Sequence, residues 1–216
     1  MRYLTLIVAF LMLPPAQAVA QRRTSARKPA PAPPQIEPAQ FKCPEPLGLG
    51  VRTGAPYCFI LAGSDPLQGV RIPIPPHTGT ASLMFDLHNR HTYSDEDIRA
   101  GRGYAKYTAV VAVLTMKSEL IDRGAVQSEF RSAKDLYERI SGGAGPGGVK
   151  AVAPLGREEI TVTIPASVNE VSLLGEVLDA TTAAGHETAT PGRTVAVISN
   201  VRIEYRPAPV KPAPKR

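Results

Sequence analysis

YAKYTAVVAVLTM, residues 104–116, is the longest β-prone stretch of the chain. Val110, Val111, Val113 and Leu114 follow one another with hardly a polar break. β-Branched side chains lose rotamer freedom in a helix and pack well on a pleated surface, so the stretch reads as a strand. Its near-continuous apolarity points to a central strand covered on both faces.

The same chemistry recurs on either side. Tyr57 to Leu61 is a short apolar run closed by Gly63, Ser64, Asp65 and Pro66, which are turn residues. Val70, Ile72 and Ile74 alternate with Arg71 and Pro73. Prolines 73, 75 and 76 confine that strand to an edge or end it. Ala81, Leu83, Phe85 and Leu87 alternate with Ser82, Met84, Asp86 and His88, which predicts a half-buried strand with the first set facing the core. Asp122-Arg123-Gly124 reads as a turn that returns residues 125–131 as a partner strand. Further strands are expected at 160–164, at 171–178 and from Val195 to Tyr205. In the last of these the apolar phase changes around Ser199-Asn200, which predicts a bulge.

One short helix is expected near 132–141. Ser132 and Asp135 have capping-box spacing, and Ala133, Leu136, Tyr137 and Ile140 share a helical face. The glycine-rich run 142–148 ends it. A second helical turn is expected from Ser94, with Asp95, Glu96 and Asp97 complementing its dipole. The fold class is therefore all-β: a single β-sandwich, jelly-roll-like, with a core of Val, Ile, Leu and Ala because Trp is absent.

The ends have a different character. Residues 1–20 combine Arg2, the apolar run Leu4 to Leu13 and the small residues Ala16, Ala18 and Ala20, the pattern of a signal peptide. The run is too short to cross a bilayer, which needs about 20 residues, so no transmembrane segment is expected. Residues 21–42 are rich in Pro, Ala and Arg and read as a disordered linker, and 207–216 read as a basic Pro-rich tail. The folded domain is assigned to 43–206. Residues 1–42 carry a net +5 and residues 206–216 a net +4, so the overall +6 leaves −3 for 43–205. The basic character belongs to the arms, and a nucleic-acid groove on the domain is not supported. The arms suit anionic envelope polymers or lipid head groups. Cys43 and Cys58, close in sequence in a chain with an export signal, read as one structural disulfide. The protein is expected to be secreted or periplasmic.

Candidate chemistry is thin. Asp86, His88 and His91 form the densest cluster of potentially catalytic or metal-binding side chains. They match no established metal spacing: HExxH and His-x-His are absent. Asp95 and Asp97, with Glu96 between them, could offer carboxylates to calcium, but consecutive acids do not face one ion in regular structure. His77 and His186 stand alone in sequence. There is no Gly-x-Ser-x-Gly elbow, and the run 142–148 lacks the Lys and Ser/Thr of a phosphate loop, so no cofactor is expected. Tyr93, Tyr104 and Tyr107 are the loop-proximal aromatics for a carbohydrate site, although the odd spacing of Tyr104 and Tyr107 would put them on opposite faces of one strand.

The resulting expectation is an exported, non-catalytic β-sandwich with a binding or structural role at the cell envelope, its partner a carbohydrate or a protein. The alternatives are a secreted hydrolase using Asp86, His88 and His91, with or without a metal, and a subunit of an envelope assembly joined by strand addition.

Overall fold

The computed structural model describes residues 32–92, 95–141, 149–150 and 157–209. The expected signal segment, the linker up to residue 31, Tyr93, Ser94, the glycine run 142–148 and the tail from residue 210 lie outside them. The strands in chain order are β1 (Gln35–Pro38), β2 (Pro46–Gly50), β3 (Pro56–Leu61), β4 (Val70–Pro73), β5 (Ala81–His88), β6 (Ala105–Thr115), β7 (Leu120–Phe130), β8 (Ile140–Ser141), β9 (Val149–Lys150), β10 (Glu158–Ile164), β11 (Glu170–Thr182), β12 (Gly185–Thr188) and β13 (Thr194–Tyr205). A five-residue helix, α1 (Asp95–Arg99), follows β5.

Among the described residues the strands pair antiparallel in two sheets. One has the order β10-β5-β13-β3-β2-β8-β9, with β1 also on β13. The other has the order β12-β11-β6-β7, with β4 also on β11. This is a β-sandwich, as the strand pattern predicts. β6 pairs along its length with β7 and β11, the central position that its apolar sequence predicts, but only one face is fully covered: on the other Lys106 is exposed and Thr108, Val110 and Leu114 are half-buried. The proline-ended strand β4 sits on the edge of β11 and stops at Pro73.

Period-two alternation builds the core. Ala81, Leu83, Phe85 and Leu87 of β5 are buried against Val111 and Val113 of β6, Leu173 of β11 and Ile198 and Ile203 of β13. Each large aliphatic side chain so buried contributes about 1.5–3 kcal/mol. The predicted bulge in β13 is present. The pairing with β5 shifts register between Ser199 and Arg202, and Asn200 adopts φ 51°, a left-handed conformation that Asn tolerates better than most residues.

Four expectations need correction. The linker is ordered from β1 onward, because Gln35 to Pro38 pair with Tyr205 to Arg202 at an edge where proline's missing donor is harmless. At the other end of the domain, Pro207 bridges to His77 and the Ala208 N–H donates to the Pro76 carbonyl. The turn before β7 lies at 115–119 and not at 122–124. Ser118 takes φ 65° there, and the Thr115 hydroxyl accepts from the N–H groups of Lys117 and Glu119, while Asp122 to Gly124 stay in the strand. The helix near 132–141 is a single 3-10 turn, Ala133–Asp135, carrying the predicted Ser132/Asp135 capping box. Leu136 then turns extended, and the segment joins the sheet as β8, because Ile140 gains more by packing on Leu47 and Tyr57. The face of β5 that carries Asp86 and His88 was expected to point away from the core, and it is buried. Leu47, Tyr57, Ile140 and Val197 form a second small core over that side of the sheet.

Candidate functional site

Two polar regions surround the end of β5. The first is closed. Tyr57, His88 and Ser199 come from neighbouring strands β3, β5 and β13. His88 Nε2 lies 2.8 Å from Ser199 Oγ, and the His88 ring packs between Tyr57 and Tyr137, each at 5.3 Å between centroids. His88 and Ser199 are 0% and 2% exposed, so this serine–histidine pair is sealed from any substrate. Glu138 arrives from the segment after the 3-10 turn. Its carboxylate accepts from the N–H groups of Arg52 and Thr53, from Thr53 Oγ1 and from the Tyr57 hydroxyl, at 2.5–2.9 Å. Burial alone would raise the Glu138 carboxyl, but these donors outweigh it and hold the group below its ordinary value. Burial, followed by the Glu138 carboxylate, pushes the Tyr57 hydroxyl far above its ordinary range. Asp86 sits beside this cluster, and its Oδ2 accepts from Arg157 and Asn200 at 3.0 and 3.2 Å.

The second region is open. The end of β5, the start of β6, the β11–β12 hairpin and α1 enclose a cleft of about 380 Å³. Its floor is formed by Ala105, Tyr107, Phe130 and Ala180, all buried. His91 lines it with its ring 4.2 Å from that of Phe130, and burial lowers the imidazole to about 4, so it is neutral at neutral pH. Burial likewise pushes the Tyr107 hydroxyl far up, opposed by the charge and the backbone of Arg90. The rim is polar. Arg90 pairs with Glu187, and Arg102 pairs with Asp97 at 2.9 Å. Tyr104 is 44% exposed, and its hydroxyl donates to Glu129 at 2.8 Å.

The candidate residues thus separate. Asp86 and His88 belong to the covered face, and His91 belongs to the cleft. Tyr104 and Tyr107 both line the cleft, contrary to the opposite-face expectation. Tyr104 lies just before β6, where strand alternation no longer governs its direction. Asp97 faces Arg102, and Asp95 opens α1, where its backbone carbonyl accepts from Arg99. Among the described residues no group of three His, Cys, Asp or Glu side chains is close enough to hold a metal ion. His77 Nδ1 contacts the Pro75 carbonyl, and His186 lies 3.6 Å from Asp179 on the surface. Cys43 and Cys58 form the expected disulfide, tying the segment before β2 to buried β3. Arg90 falls in the polar run 86–91, but its pairing with Glu187, like the role of Glu138, carries no sequence signal, because the partners are 81–97 positions away.

No protein-family profile and no curated protein sequence matches the chain. Among solved structures it is similar to the catalytic domain of a GH87 alpha-1,3-glucanase in complex with nigerose, with 11% sequence identity and a TM-score of 0.30. The likeness covers 86% of this chain and 30% of that one, too distant to bear on fold or function.

Proposed function

We propose that the protein is an exported, non-catalytic β-sandwich that binds a small ligand in the cleft at the ends of β5, β6 and β11, at the cell envelope. One observation carries the reading. Six buried side-chain polar atoms lack a hydrogen-bond partner among the described residues, and three of them, Arg90 Nε, His91 Nε2 and Tyr107 Oη, belong to residues that line this cleft. Such an atom costs about 1–3 kcal/mol, so native structures keep few of them, and their clustering beside a cavity supports reading it as a site whose polar side chains meet a guest. The cavity has the size and the apolar floor of a small-molecule site. The enclosed disulfide supports an oxidising compartment. Among the described residues no helix is long and apolar enough to cross a membrane. The sealed state of His88 and Ser199 and the separate surroundings of His91 weigh against the hydrolase reading. The basic arms supply contact with anionic envelope material.

Hydrogen exchange in the presence of a mixed small-molecule extract of envelope material tests the reading. Added protection is expected at 89–91, 104–107 and 180–187. Protection elsewhere alone, or none anywhere, overturns it.

A further inference from the structure

We infer that the cleft takes an uncharged, hydroxyl-rich ligand, a small saccharide, with one of its apolar faces laid on the Tyr104 ring. This rests on the reading of the cleft as a binding site and specifies what enters it.

The charge pattern argues first. Both arginines of the rim already have carboxylate partners, Arg90 with Glu187 and Arg102 with Asp97. Lys106 stands in the field of Glu129, which it stabilises. His91 is neutral. An incoming anion would meet the carboxylate that already balances each guanidinium, and a cation would meet the guanidinium, so neither finds an uncompensated charge at the rim. A neutral hydroxyl needs none. It donates to a carboxylate or accepts from a guanidinium on the outer side of a pair left intact.

The unpartnered atoms argue second. Arg90 Nε can only donate, whereas the Tyr107 hydroxyl and a neutral His91 nitrogen can each donate or accept. These atoms are covered, so a ligand meets them only as the side chains turn toward the cleft, and one that offers both donors and acceptors at short spacing, as hydroxyls on adjacent carbons do, then satisfies the set. A wholly apolar ligand would strip water from the rim pairs and leave these atoms unmet, which is unfavourable.

The aromatic rim argues third. The Tyr104 hydroxyl is held by Glu129 while the side chain remains nearly half exposed, so the ring is presented at the cleft edge instead of packed away. A ring so held offers a flat apolar surface at small entropic cost. The cavity volume lies at the small end of ligand sites, which fits one or two sugar units.

The test is a titration of the purified chain followed by amide and histidine-ring resonances. The probes are maltose, cellobiose and N-acetylglucosamine, then glucuronate, inorganic phosphate and p-cresol. At least one neutral sugar is expected to shift resonances of residues 89–91 and 104–107 saturably. Tyr104→Ala should weaken that binding about tenfold, while Tyr104→Phe should keep most of it. Tyr104 is exposed and precedes β6, so neither variant threatens the fold. Saturable shifts with phosphate, glucuronate or p-cresol but with no neutral sugar overturn the ligand class and leave the cleft as a site. Sugar binding unaltered by Tyr104→Ala overturns the placement. Silence with every probe overturns both the ligand class and the cleft.

Discussion

Glu138 is the residue on which most local order converges. It accepts four hydrogen bonds from the β2–β3 hairpin, which is otherwise joined to this segment only through β8 and a few loop contacts. Glu138→Ala strands those donors and should lower stability by about 3 kcal/mol, read from urea midpoints. Glu138→Gln keeps the shape and should cost less. Because the folded carboxyl titrates below the unfolded value, its contribution is present above about pH 4.5 and is lost as pH falls through the lower folded value. Glu138→Gln should remove that acid-dependent component from the stability profile. His91 acts with the opposite chemistry and in a neighbouring window. Its folded value of about 4 lies below the ordinary 6.5, so the unfolded chain takes up the proton first. Stability should therefore fall as pH drops from about 6.5 to about 4 and level off below, and His91→Gln should flatten that slope in denaturation curves measured across the range. Neither role was legible in sequence. The Cys43–Cys58 bond was, because proximity and compartment together leave little else for two cysteines to do.

Strands are the scale at which the sequence speaks most clearly. Burial on one face imposes a period of two, so β5, β10 and β13 and even the Asn200 bulge follow from the alternation, while β6 follows from its β-branched apolar run. Turns and second layers are less legible. Asp122-Arg123-Gly124 has turn composition, yet Gly124 is held in β7 against Ile160, and the hydroxyl of Thr115 organises the real turn. The covering of the Asp86 and His88 face depends on residues 136–141, whose helical spacing yields to tertiary packing. Gly175 marks another place where packing decides. It stands at a register shift in β11, and a Cβ there would lie 2.5 Å from the Val195 side chain. Gly175→Ala should destabilise by about 1–3 kcal/mol, seen as a lowered thermal midpoint, and Val195→Ala in the same chain should restore part of the loss.

The whole molecule joins its two sheets through an aliphatic core and fastens one margin covalently. Replacing Cys43 and Cys58 by Ser should cost about 3 kcal/mol on the loop-entropy account, measured as the difference between oxidised and double-variant unfolding midpoints. The arms belong to this scale too. Residues 210–216 hold Lys211, Lys215 and Arg216 and lie beyond the contacts that Pro207 and Ala208 make with the domain. Their removal should leave the thermal midpoint unchanged while weakening retention on an anionic polymer and flattening its salt dependence. The pairing of β1 with β13 gives the arms a shared origin. Gln35 lies opposite Tyr205, and its amide donates to the tyrosine hydroxyl at 2.6 Å, so the chain segments leading to the two cationic extensions leave from one rung of the ladder. Under the proposed contact with anionic envelope material, extensions with a common root would act as a bivalent anchor. Once one has engaged a polyanion, the other searches only a small volume, and neutralising both should cost more avidity than the two single neutralisations together.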